Sequence, residues 1–161
     1  MSDVIPKIQP RRLEAGLLAG TPNEGDNFRS QRTTALLEGR YQLWNSDKFD
    51  LYGALGTGYV HSRFSDVPLN FFPVVVGPLG RFKFFKPYDA FDIFTDLALQ
   101  GGIAFTDKEG TKPFYSVYGG LGAEGNMGSW TYGFNFWQVG LEILDSASKV
   151  VIYRGGPYAR F

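Results

Sequence analysis

The 161-residue chain has no cysteine and a single histidine, His61. Disulfide frameworks, thiolate zinc sites and cysteine nucleophiles are therefore excluded, and so are histidine pairs. There is no excess of charge of either sign: sixteen basic residues balance sixteen acidic ones. A basic stripe of the kind nucleic-acid binding requires is missing, and no nucleic-acid partner is expected. Long apolar runs are missing too. The longest mostly apolar stretch without charge spans residues 67–80 and contains Pro68, Pro73 and Pro78. It falls short of the roughly 20 residues that a membrane-spanning helix needs. The opening residues, Met1-Ser-Asp-Val-Ile-Pro-Lys7, carry no charged region followed by an apolar one. No signal peptide is expected there, unless one has already been removed.

What is abundant is glycine, at 21 residues, and aromatic side chains, at 17% of the chain. That composition favours strands over a helical bundle. Strict alternation follows from residue 33 onward. Ala35, Leu37, Gly39, Tyr41 and Leu43 oppose Thr34, Leu36, Glu38, Arg40 and Gln42. The pattern recurs with Leu51, Leu55 and Tyr59, with Val74, Val76 and Phe82, with Ile93, Leu97 and Leu99, and with Tyr115, Val117 and Leu121. Such a period places successive side chains on opposite faces of a strand. In the segment starting at Trp130 the apolar parity switches after Phe136, which predicts a β-bulge at Phe136-Trp137. Leu13 to Ala19 and Val150 to Phe161 complete eight strands in one domain, residues 1–161, with residues 1–10 as a short extension.

Connections alternate in length: a long one at residues 21–30, a short one at 45–48, a long one at 61–73 and a short one at 86–89. Medium, short and medium ones follow at 106–113, 125–129 and 145–149. Up-and-down membrane barrels have this rhythm, with tight turns at one end and longer loops at the other. A soluble lipocalin-like barrel shares the period of alternation but inverts it, with apolar residues inside. Two features favour the membrane orientation. The apolar faces are nearly free of charge over lengths that suit tilted membrane strands. Aromatic residues collect near the short turns as an expected girdle: Tyr41, Trp44, Phe49, Phe84, Tyr88, Phe91, Trp130 and Phe161.

The eight alternating segments, the glycine-aromatic stretches Leu51-Tyr-Gly-Ala-Leu-Gly-Thr-Gly-Tyr59 and Tyr118-Gly-Gly-Leu-Gly-Ala123, and the terminal Phe161 resemble the small bacterial outer-membrane barrels of the OmpA, OmpX and OmpW type. The resemblance lies in pattern over nearly the whole chain. It departs at Ala159 and at Gly155-Gly156-Pro157. It implies an all-β, eight-stranded antiparallel transmembrane barrel in the bacterial outer membrane, surrounded by lipid bilayer and lipopolysaccharide; with no second domain in the pattern, a monomer is the expected state. It also implies that the barrel-assembly machinery reads the C-terminal strand.

With the apolar faces outward, the opposite set lines the lumen: Glu38, Arg40, Asp50, Arg81, Lys83, Asp92, Asp96 and Glu124. All lie in the half of their strand nearer a short turn, and Glu14 and Arg160 fall at the same level. Eight strands enclose only enough space for side chains, so these charges must pair. A paired plug is the expected reading, and a gate or narrow ion path is the alternative. Small residues in the other half (Ala54, Gly56, Gly58, Ala98, Gly102, Gly120 and Gly122) leave room for a cavity there.

Catalytic constellations are poor. Asp92 and Asp96 share a face about 13 Å apart, too far for the 5–9.5 Å of a glycosidase pair. His61 and Ser62 are neighbours in the chain and point apart in an extended segment, which makes His61 a loop residue on this reading. Neither Gly77-Pro-Leu-Gly80 nor Gly119-Gly-Leu-Gly122 precedes a helix, so neither is a phosphate loop. No metal or cofactor is expected. The functions that fit are a non-enzymatic barrel serving envelope integrity, loop-mediated adhesion or slow solute passage; the alternatives are a lipid A-modifying barrel enzyme and a soluble small-ligand binder.

Overall fold

A computed structural model describes residues 12–22, 30–64, 67–88, 91–144 and 148–161. Eight strands follow one another: β1 (Leu13–Pro22), β2 (Ser30–Asn45), β3 (Phe49–Phe64), β4 (Val67–Tyr88), β5 (Phe91–Thr106), β6 (Gly110–Met127), β7 (Trp130–Leu144) and β8 (Ser148–Arg160). Each pairs antiparallel with its neighbour in sequence, and β8 returns to β1 to close the barrel. The seam is tied at its end by Leu13 N–H to the Phe161 carbonyl (3.1 Å) and Phe161 N–H to the Leu13 carbonyl (2.9 Å). Closure leaves no unpaired sheet edge along the seam, the condition for strands to sit in hydrocarbon.

Burial follows the alternation and gives its sign. Leu37 is 60% exposed while its neighbours Leu36 and Glu38 are 2% and 1% exposed. Leu55, Leu97, Val76 and Val117 also face outward. Arg81, Asp50, Glu14 and Asp96 are buried inside. A soluble barrel could not sustain that inversion, because taking so many charges out of water while exposing a continuous apolar wall to it costs on both counts. The architecture is that of a transmembrane barrel.

The bulge at Phe136-Trp137 is present. Leu121 pairs with Trp137 and Gly122 with Asn135, so Phe136 is the extra residue. Both bulge side chains point outward, and Asn135 and Gln138 both turn inward, which is how the strand changes parity. At the β5–β6 connection, Gly110 adopts a φ of +76°. There the Glu109 N–H donates to Thr106 Oγ1 (2.9 Å), which itself donates to the Gly110 carbonyl (2.7 Å).

The long-short rhythm of connections needs correction. Residues 61–73, read as a long loop, continue β3 and β4 as a ladder from His61↔Asn70 to Phe64↔Val67. Residues 106–113 likewise contain a tight turn, with Thr106 opposite Gly110. Polar residues and Pro68 mimic loop composition, yet a strand that has left the hydrocarbon has no need for an apolar face. The long connection at 21–30 lies mostly outside the described residues.

Candidate functional site: the filled lumen

The lumen is built in layers. At the short-turn end Arg81 on β4 is the hub. Its Nε and Nη2 donate to Asp96 Oδ1 and Oδ2 (2.9 and 3.1 Å), and its Nη1 donates to Glu14 Oε2 (3.0 Å) and Glu124 Oε2 (3.1 Å). Arg40 donates to Glu14 Oε1 and Glu38 Oε1, each at 2.5 Å. Arg160 Nη2 reaches Glu124 Oε1 (2.8 Å), and Lys83 Nζ reaches Asp50 Oδ2 (2.8 Å). Tyr158 and Tyr52 donate their hydroxyls to Glu124 (2.7 Å) and Asp50 (3.2 Å). The Arg81 guanidinium also lies over the Phe94 ring, 4.1 Å from its centroid. Bidentate, charge-assisted bonds of this kind are the means by which buried ions offset their desolvation.

Register explains why these residues meet. Arg81 stands directly opposite Asp96, Asp50 opposite Arg81, and Glu14 opposite both Arg40 and Arg160. Of the residues expected in the lumen, Glu38, Arg40, Asp50, Arg81, Asp96 and Glu124 converge on one network, with Glu14 and Arg160 included. Lys83 joins from the edge, its side chain 18% exposed. Asp92 does not join. It pairs in register with Glu124, and that like-charged neighbour takes the arginines. Asp92 instead lines the polar mouth, a cavity of about 770 Å³ shared with Arg12, Lys48, Lys83, Lys86 and Arg160.

Above the floor lies a mixed layer that charge counting in the short-turn halves of the strands missed. Arg154 donates from Nε to Gln138 Oε1 (2.9 Å) and stacks over Tyr118, 3.2 Å from the ring centroid. Tyr118 donates to Glu142 (3.3 Å), and Gln100 donates to Glu38 (2.8 Å). Tyr52, Leu79, Ala98 and Tyr118 pack together at this height.

The far half is not hollow. Val60, Phe71, Val75, Ala104, Phe114 and Leu144 form a buried apolar cluster there, with the Phe71 and Phe114 rings 5.8 Å apart. The expected cavity over small residues is thus corrected. Gly120 and Gly122, expected in that half, stand instead opposite Asp96 and Phe94 at the height of the floor; there a Cβ on Gly122 would lie 2.3 Å from the Phe94 ring, and in the mixed layer one on Gly140 would lie 2.2 Å from that of Tyr118. Parity was the available signal, since Val60, Phe71, Phe114 and Leu144 all fall on the inward set.

The outer surface has aromatic residues at both ends. Near the short turns Trp44, Phe49 and Phe82 pack in sequence (5.8 and 4.6 Å between ring centroids), and Trp130 contacts Tyr132 and Phe161. Tyr41, Phe84 and Phe91 are exposed on the same belt, while the side chain of Tyr88 lies outside the described ones. At the opposite end, Tyr59 and Phe72 (5.4 Å) with Phe105 and Tyr115 make a second belt that the sequence reading did not assemble. Between the belts the wall is largely aliphatic, as a bilayer-facing surface should be, interrupted on β7 by the outward rings of Phe136 and Trp137. His61 is in strand β3 rather than a loop. Its Nδ1 lies 2.6 Å from Asn70 Oδ1 on β4.

No protein-family model matches the chain, and no curated protein matches it in sequence. Solved structures match its fold. Neisserial surface protein A (NspA) aligns over 93% of this chain and 95% of its own, with 11% identity and a TM-score of 0.60. The outer membrane protein OprG from Pseudomonas aeruginosa aligns over 94% and 95%, with 12% identity and a TM-score of 0.56. The outer membrane enzyme PagL aligns over 93% and 98%, with 13% identity and a TM-score of 0.54. The fold is that of the small eight-stranded outer-membrane barrels, a group with both enzymatic and non-enzymatic members.

Proposed function

We propose that this chain is a closed, non-enzymatic barrel of the outer membrane that anchors its far-end strands and connections in the envelope and does not conduct solutes. The observation that carries this reading is the stacking of two different plugs. An apolar cluster around Phe71 and Phe114 sits above an ion-paired floor around Arg81. An ion would have to shed its water against the first and displace a saturated arginine from the second, and each step costs several kcal/mol. Of the roles that fit the fold, a filled lumen favours envelope integrity or adhesion over slow passage.

On this reading the aliphatic wall contacts lipid, with lipopolysaccharide around the far-end belt, and a monomer suffices because the barrel closes on itself. The β8 strand ending in Phe161 is the segment presented to the insertion machinery. The decisive experiment is conductance of the refolded protein in planar bilayers. The expected result is a silent membrane at neutral pH, and reproducible single-channel steps would overturn the closed reading.

A further inference from the structure

We propose that the far-end rim carries a saccharide-binding site built from Tyr59, His61, Asn70, Phe72 and Asp107, on the outer face of the barrel. It rests on the membrane placement proposed above, which puts this rim at headgroup level. The site is an ordered polar cluster beside the far-end aromatic belt. Asp107, next to the β5–β6 turn, accepts from the Asn70 backbone N–H (3.2 Å) and from Asn70 Nδ2 (2.9 Å). That fixes the carboxamide, whose Oδ1 then accepts from the Tyr59 hydroxyl (2.8 Å) and from His61 Nδ1 (2.6 Å). Because Oδ1 can only accept, the proton of a neutral His61 sits on Nδ1, and Nε2 is left as an acceptor.

The unused groups define the ligand. His61 Nε2, the remaining lone pairs of Asp107 and the second Nδ2 proton of Asn70 offer several acceptors and a donor within one patch. Beside them lie the Tyr59 and Phe72 rings, residues 42% and 51% exposed. A sugar ring presents both halves of this pattern: vicinal hydroxyls that donate and accept, and an apolar C–H face that packs on an aromatic ring. A phosphate would need several donors and would meet the Asp107 carboxylate. A pyranose can come from a glycolipid headgroup or from a free glycan, and both present the same chemistry.

The test uses the full chain, refolded and checked by heat-modifiable gel migration. The His61 ring and Asn70 side-chain NMR signals are followed in nanodiscs of phosphatidylglycerol alone, with diglucosyl-diacylglycerol added, or with phosphatidylethanolamine added. A parallel titration uses free maltose in detergent. Perturbation by the glucosyl lipid or by maltose, weakened about tenfold in Asn70→Ala and Asp107→Ala, is the expected result and corresponds to one or two lost hydrogen bonds. Response to the glucosyl lipid alone identifies the membrane glycolipid as source, and response to maltose identifies free glycan. Lys86→Ala, at the opposite mouth, should bind as the parent does. Equal signals in all nanodiscs with no maltose response, or a response to ethanolamine alone, would overturn the site. A chain that folds but fails to enter nanodiscs would count against the membrane placement instead, and the maltose titration would still decide the site.

Discussion

Arg81 and Asp96 stand directly opposite each other on β4 and β5, and the guanidinium grips both carboxylate oxygens, at 2.9 and 3.1 Å. The same guanidinium holds Glu14 and Glu124. One side chain thus links strands β1, β4, β5 and β6 across the lumen, with all four side chains buried.

Arg81→Met should therefore strip three carboxylates of their shared cation. Breaking a buried ion pair from one side costs about 3–5 kcal/mol. The expected outcome is a marked fall in the urea midpoint for unfolding from vesicles. Adding Asp96→Leu to Arg81→Met should recover part of the loss, because it removes one of the orphaned charges. A double-mutant cycle measures that coupling.

The apolar plug makes a separate prediction. Phe114→Ala removes a buried ring packed on Phe71 and should destabilise the barrel by about 3–5 kcal/mol. It should not create conductance, because the ion-paired floor remains. If Phe114→Ala alone produced channel steps, the floor would be no barrier.

Glycine placement can be tested by a small addition. A Cβ at Gly122 would come within 2.3 Å of the Phe94 ring and 2.9 Å of the Phe134 carbonyl. Gly122→Ala should cost about 1–3 kcal/mol by overpacking. Gly39→Ala, with nothing within 4 Å of the added carbon, should be close to neutral in the same unfolding assay.

Much of this was legible in the chain. Alternation assigned inward and outward sets from Thr34 to Leu43, and the parity switch located the Phe136-Trp137 bulge. The misreadings share a cause: composition was taken as a proxy for local structure. His61, Pro68 and Asn70 look like loop residues, but beyond the hydrocarbon a strand needs only backbone pairing. Ala54, Gly56 and Gly58 suggest a cavity in the far half, but the parity of Val60, Phe71 and Phe114 turns bulky apolar side chains inward to fill it. Arg154 and Glu142 lie farther along their strands from the short turns, outside the level at which the other charges cluster. Pairing across strands, which decides whether Asp92 or Glu124 receives an arginine, depends on register and is not visible in one strand at a time.

Orientation is tested most directly by the tryptophans, Trp44, Trp130 and Trp137, all facing outward. Trp137 lies in mid-strand on β7, opposite Leu121, whereas Trp44 and Trp130 sit at strand ends by the short turns. In single-tryptophan variants reconstituted with brominated lipids, Trp137 should be quenched most by bromines deep in the acyl chains, and Trp44 and Trp130 by shallow ones. Uniform quenching by aqueous iodide, with no response to bromolipid at any depth, would contradict a barrel whose apolar wall faces the membrane.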